Sequence, residues 1–87
     1  MPKTRDKKLE KYKNAIDDYN VMLKINPGNI KALINRAFCN AKIENYEDAI
    51  KDYSNILDIE PNNTHALYNR AISLDKIGNI IEVFYIF

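Results

Sequence analysis

The strongest constraint on the fold of this chain is an internal repeat with a period of 34 residues. When residues 10–45 are set against residues 44–79, 18 of the 36 positions are identical, and outside these windows the match is lost. A repeat of this length is one supersecondary unit, which buries its apolar face by stacking on the neighbouring unit. The sequence therefore predicts a short array of stacked units.

Within each unit the apolar residues follow a helical period. Between residues 45 and 59 they recur every three or four positions along one face of an amphipathic helix, and the segment one period earlier repeats this face. Pro27 and Pro61 cannot continue a helix. The turns after these prolines end in Asn29 and Asn63, which are favourable N-cap residues. We therefore expect antiparallel helices joined by short turns.

Polar and small residues predict further details of the helix ends and crossings. Asn45 precedes the second helix of the unit, with Asp48 three positions later, and is expected to cap that helix. Ala37, Ala49 and Ala71 have small side chains, so we expect them where two helices pack closely. A larger residue at such a crossing would overpack it.

These residues resemble the tetratricopeptide repeat, a 34-residue helix-turn-helix unit. The family signature of alanine, a bulky aromatic residue and proline occurs twice, as Ala15, Tyr19 and Pro27 and as Ala49, Tyr53 and Pro61. The resemblance covers residues 10–79. It implies an all-α fold of antiparallel helix-turn-helix repeats, a tetratricopeptide-like α-solenoid of about two units and five helices.

The register of the family divides the chain into segments. We expect a basic N-terminal arm over residues 1–9, a repeat domain over residues 10–79 and an apolar C-terminal stub over residues 80–87. The first helix of unit one is expected to be absent. The predicted helices of the repeat domain are the second helix of unit one at 6–25, both helices of the full unit at 30–63 and the first helix of unit three at 64–77.

Three interpretations of the apolar stub remain open, and the third is that it is the accidental end of a longer protein. In the first, it folds back as a truncated helix onto Leu67, Leu74 and Ile77 and completes the core. In the second, it docks on another chain, because an array of repeats usually ends in a polar cap and this segment is the opposite. The second interpretation makes a possible association surface of Ile81, Phe84 and Phe87.

One face of the two first helices is expected to bind a partner. Residues at intervals of four, three and four positions form a strip along each helix. The strips consist of Lys31, Asn35, Phe38, Lys42, His65, Asn69, Ile72 and Lys76. The resemblance implies that this face lines a concave groove and that Asn35 and Asn69 hydrogen-bond the backbone of an extended peptide. The alternative is a merely hydrophilic surface, with Phe38 and Ile72 packing between repeats.

Charge is distributed unevenly, although 13 basic and 12 acidic residues leave a net charge of only +1. Residues 30–43 and 64–77 together carry +4, and residues 44–60 carry −5. We therefore expect a basic groove and a peptide partner with acidic residues, held by Lys31, Lys42 and Lys76. The alternative is that these lysines are solvated and select no partner.

The residues give little support to other classes of function. Cys39 and His65 are the only residues of their kinds, so we expect no metal site, no cofactor and no catalysis, and we expect Cys39 to be a small buried side chain. The basic arm lacks interleaved aromatic residues, and no apolar stretch is long enough to span a bilayer, so we expect neither nucleic acid nor a membrane as partner. A lone cysteine fits an intracellular, cytoplasmic protein.

The sequence therefore predicts a non-catalytic protein–protein interaction module, an adaptor or scaffold, that binds a peptide or partner segment in the groove. The alternative is a structural subunit of a larger assembly or a homo-oligomer. In that alternative, the open repeat ends and the apolar C-terminal tail hold the assembly together.

Overall fold

Four helices follow one another along the chain in a computed structural model, which describes the backbone of residues 2–86 and the side chains of residues 7–80. Each helix packs against the next, and no strand occurs within the described backbone. Because the connections are only a few residues long, helices that pack in this way run antiparallel. The helices are α1 (Pro2–Ile25), α2 (Ile30–Lys42), α3 (Tyr46–Ile59) and α4 (Thr64–Ile86). The prediction of an all-α fold is confirmed.

The predicted count of five helices is wrong, because α4 does not end at residue 77. It continues through Gly78 to Ile86, and Gly78 keeps a negative φ. One glycine inside a helix costs about 1 kcal/mol relative to alanine, and no proline follows it to stop the helix. Residues 80–86 are therefore the last turns of α4 and do not fold back onto it. The predicted association surface, Ile81, Phe84 and Phe87, lies outside the residues whose side chains are described.

Asparagine caps fix the start of both first helices. Oδ1 of Asn29 accepts a hydrogen bond from the backbone N–H of Ala32 at 3.1 Å, and Oδ1 of Asn63 accepts one from Ala66 at 3.0 Å. Both caps were predicted and both are confirmed. The N-terminal helix α1 begins at Pro2, earlier than the expected start at residue 6.

The predicted cap at Asn45 is wrong. Asn45 occupies the N-cap position of α3, but its side chain makes no capping hydrogen bond. The reason lies in the end of α2, where Glu44 adopts a left-handed φ of 66° and the N–H of Asn45 donates to the carbonyl of Asn40 at 2.8 Å. This closing motif of α2 uses the same short connection and leaves Asn45 with a ψ of 68°, outside the extended conformation of Asn29.

The helix α2 is buried on two sides. On α4, which packs mainly on α3, Ala66 and Ser73 are buried, whereas Leu67 and Ala71 are exposed. On α2, Ala32 and Cys39 are the equivalents of Ala66 and Ser73. Leu33 and Ala37 are the equivalents of Leu67 and Ala71. All four of these α2 residues are buried. Ala32 and Cys39 therefore face the preceding helix, α1, and Leu33 and Ala37 face the following helix, α3.

The side of α4 that corresponds to Leu33 and Ala37 is open. Leu33 is 2% exposed, and Leu67, its equivalent one period later, is 44% exposed. Ala71 is exposed as well, so the prediction that it lies at a tight helix crossing is wrong, whereas Ala37 and Ala49 are fully buried as predicted. The difference arises because no described helix covers this side of α4.

The side chain of Arg36 forms hydrogen bonds that link three helices beside the core. Arg36 donates from Nε to Oδ2 of Asp52 at 2.9 Å and from Nη2 to Oδ1 at 2.8 Å. Its Nη1 donates to Oδ1 of Asn20 on α1 at 2.8 Å. The hydrogen bonds to the buried Asp52 carboxylate raise the pKa of the Arg36 guanidinium, and burial acts in the opposite direction. Arg36 therefore stays charged and links α1, α2 and α3.

Replacing Ala37 with leucine is expected to destabilise the fold by about 1–3 kcal/mol, because the added carbons have no space at a fully buried crossing. Ala71→Leu is the matched control, since Ala71 has the same register and is exposed. Thermal melts followed by circular dichroism at low protein concentration measure both effects. Equal destabilisation by the two changes would contradict the two-sided packing of α2.

Replacing Asp52 with alanine is expected to cost about 2–3 kcal/mol, because Arg36 then loses its carboxylate partner at a partly buried site. Asp17→Ala is the control, since Asp17 is an exposed aspartate on α1. Urea unfolding measures the free energies. The double change of Arg36→Met with Asp52→Leu should recover most of the loss, and an Asp52→Ala protein as stable as the wild type would refute the role of the ion pair.

Candidate peptide-binding face

The predicted strips of α2 and α4 are accessible in the structure. Seven of the eight strip residues are exposed, and Asn69 is half-buried. The capped starts of α2 and α4 set the rotation of each strip, because a helix that begins at a fixed residue places its side chains at fixed angles. In both helices, the strip therefore lies away from the buried positions that pack on the preceding helix.

Tyrosines of the preceding second helices flank the strips. The ring of Tyr12 on α1 meets the ring of Phe38 edge to face, with centroids 6.4 Å apart. Tyr53 on α3 meets His65 on α4 in the same way, with centroids 6.2 Å apart. Both contacts join a second helix to the strip of the next first helix. Tyr53 is buried and Tyr12 is half-buried, so these contacts attach the strips to the preceding helices and add little exposed aromatic surface.

Phe38 and Lys42 form one unit on α2. The Nζ atom of Lys42 lies 5.3 Å from the centroid of the Phe38 ring, within the range of a cation–π interaction. Phe38 is nevertheless 49% exposed. The ring therefore contributes to the packing of α1 on α2 and also presents apolar surface beside a cation, so the two interpretations of Phe38 as anchor and as packing residue are compatible.

The two strip asparagines differ in their hydrogen bonds. Nδ2 of Asn69 donates to the backbone carbonyl of His65 at 2.8 Å, so this amide is occupied by its own helix. The side chain of Asn35 is exposed and makes no hydrogen bond among the described residues. An amide with both donor and acceptor available can pair with a peptide group of any sequence. Asn35 is therefore better placed than Asn69 to pair with a peptide group. The two asparagines occupy the same position of the repeat but are not equivalent in their hydrogen bonds.

The single cysteine and the signature tyrosine are not activated groups. Burial raises the pKa of the Cys39 thiol, which lies on the side of α2 that faces α1. Burial also raises the pKa of Tyr53, and the nearby Asp52 charge adds to this effect. Both groups stay protonated at neutral pH, because their charged forms are disfavoured. Cys39 is a small buried side chain, as predicted.

Within the described residues, no three or more His, Cys, Asp or Glu side chains converge as they would around a metal ion. No helix in the same part of the chain has the length and apolar character needed to cross a membrane.

The sequence did not predict two clefts, neither of which is lined by a strip residue. A cleft of about 350 Å³ surrounds the Arg36–Asp52 pair between α1 and α3. A second, of about 410 Å³, lies between the start of α3 and the far half of α4, with Ile77 and Ile80 on one side. The acidic residues at its edge, Glu44, Glu47 and Asp48, belong to the negatively charged segment 44–60, which was the available signal.

Comparison with family models matches the tetratricopeptide repeat over residues 30–63. This stretch comprises α2, α3 and the two turns that follow them. Comparisons with curated proteins and with solved structures gave no match. The matched residues and the observed helix pair agree with each other, and the internal identities extend the same register into α1 and α4. Residues 30–63, the helix pair α2 and α3, are therefore a match to the tetratricopeptide repeat.

Proposed function

We propose that this chain is an intracellular, non-catalytic adaptor that binds an extended acidic peptide across the strips of α2 and α4. The tetratricopeptide repeat is in general a protein–protein interaction unit, which gives the class of function. The observation that carries the more specific proposal is the exposed Asn35 amide, which lies between Lys31 and the Phe38–Lys42 unit on one helix face.

The chemistry of α2 supports a peptide as the ligand. Asn35 offers a donor and an acceptor to a peptide backbone, and Phe38 offers apolar surface to a side chain. Lys31 and Lys42 stand at the two ends of the same face, about 16 Å apart along the helix. No acidic residue occurs among the strip positions. An extended peptide with carboxylates at both ends of its contact therefore complements this helix in charge and in hydrogen bonding.

The strip of α4 supports the same ligand less strongly. His65 and Lys76 are exposed, and Ile72 is 38% exposed. Asn69 must give up its hydrogen bond to the carbonyl of His65 before its Nδ2 can bind a peptide. We therefore assign the backbone contact to Asn35 and a charge contact to Lys76.

A second candidate function is that of a structural subunit held through the ends of the array. The observation that favours it is the apolar surface at both ends, where Leu74 on α4 is 52% exposed and Met22 on α1 is 42% exposed. This surface lies on other sides of the helices than the strips, so the two functions are compatible.

The peptide-binding proposal predicts that a displayed peptide library will yield ligands enriched in Asp and Glu. Lys31→Glu and Asn35→Ala should each weaken the selected peptide about tenfold, which corresponds to the loss of one charge contact or one hydrogen bond. Fluorescence anisotropy with a labelled peptide measures the affinity.

Lys51→Glu and Asn14→Ala are the matched controls, since both residues are exposed and lie outside the strips. They should leave the affinity unchanged. A library selection without acidic preference would refute the charge of the ligand. Equal losses in the control variants would refute its location.

A further inference from the structure

The open side of α4 repeats the side of α2 that α3 covers. Leu67 and Ala71 stand in the register of Leu33 and Ala37, and Leu74 lies one turn further along. All three are exposed, in contrast to their buried counterparts on α2. A second helix of the same repeat would therefore fit the uncovered side of α4.

Arg70 shows which polar group that helix must carry. Arg36 binds Asn20 of the preceding helix and Asp52 of the following one. Arg70 keeps the first contact, because its Nη1 donates to Oγ of Ser54, the equivalent of Asn20, at 3.2 Å. The position one period after Asp52 is residue 86, which is an isoleucine and cannot supply the second contact. Among the side chains of residues 7–80, no carboxylate pairs with Arg70.

The helix α1 carries the complementary set. Ala15, Asp18 and Met22 stand in the register of Ala49, Asp52 and Ile56 on α3. On α3 these three are buried, whereas Asp18 and Met22 are exposed and Ala15 is only half-buried. Ile25, close by, is also exposed. One side of α1 is therefore an uncovered copy of the surface that covers α2.

We propose that α1 of a second copy of this chain docks on α4 of the first as its following helix, with Arg70 donating to Asp18 of the second copy. The pair then reproduces the packing of α2 with α3 and its ion pair. Within one chain, α1 packs on α2 and α4 packs on α3, so the two surfaces lie at opposite ends of the helix order and only another copy brings them together. The contact is head-to-tail and continues from copy to copy.

The lengths and charges of the two helices fit this arrangement. Both extend beyond the repeat unit, α1 at its N-terminal end and α4 at its C-terminal end, and they reach about 36 and 34 Å. In an antiparallel pair these extensions lie side by side. Residues 7–13, which join the extension of α1 to its repeat segment, carry +3, and in this arrangement they approach the cleft at the start of α3 that Glu44, Glu47 and Asp48 border. Opposite charges therefore meet where the extensions overlap.

A charge swap tests this contact. Asp18→Arg places like charges together in every contact between identical copies, and so does Arg70→Asp. In a mixture, Arg70 of the Asp18→Arg variant faces Asp18 of the Arg70→Asp variant. In the reverse contact, the new aspartate at position 70 faces the new arginine at position 18. Both contacts between unlike variants therefore contain an Arg–Asp pair. The wild-type chain should associate with rising concentration in sedimentation velocity, above the monomer mass of 10.1 kDa. Each variant alone should associate about tenfold more weakly or worse, and the mixture should recover the wild-type behaviour.

Two controls isolate the effect of position from the effect of charge. Asp17→Arg and Lys51→Asp change the net charge by the same amounts at exposed residues outside the contact. Both should associate as the wild type does, and circular dichroism should show every variant folded. A wild-type chain that stays monomeric at all concentrations, or a mixture that fails to recover, would overturn the proposal. Either result leaves peptide binding by the strips unaffected, because that assay reports on different residues.

Discussion

The packing of α2 between α1 and α3 is the interaction on which the rest of the structure depends. Ala32 and Cys39 fill the side towards α1, and Leu33 and Ala37 fill the side towards α3. With both sides in close contact, α2 cannot rotate about its axis without overpacking one of them. Its third side is therefore held towards the solvent, and the exposure of the strip that includes Asn35 is a consequence of the core.

The Arg36–Asp52 pair adds specificity to this packing. The free-energy cost of removing two charges from water largely offsets the attraction between them, so the pair contributes modestly to net stability. Its larger effect is on alternatives, because a slip of α3 along α2 would leave the buried Asp52 carboxylate without its partner. The third donor of Arg36 extends the same constraint to Asn20 on α1. Apolar packing therefore holds the helices together, and the guanidinium selects their register.

The features predicted from the sequence are the ones that depend on a few neighbouring residues or on the 34-residue period. The caps at Asn29 and Asn63 follow from local chemistry, and the repeat itself follows from the period. The predicted cap at Asn45 was wrong because the hydrogen bonds that end α2 determine the conformation of residues 43–45. The predicted end of α4 at residue 77 was wrong because Gly78 keeps a negative φ, so the helix continues through it to Ile86. The Arg36–Asp52 pair was missed because its partners are 16 residues apart and lie on different helices.

The two proposed surfaces are connected by geometry, although they use different residues. In a head-to-tail assembly α4 becomes a first helix with both sides filled, as α2 is, and α2 of the next copy follows it in the same register. The strips of successive copies then continue along one face at the spacing of the repeat. A partner with several acidic segments could bind several copies at once, and its second contact would be intramolecular and correspondingly tighter. Assembly would thus raise the affinity of the groove for multivalent partners without changing any contact within it.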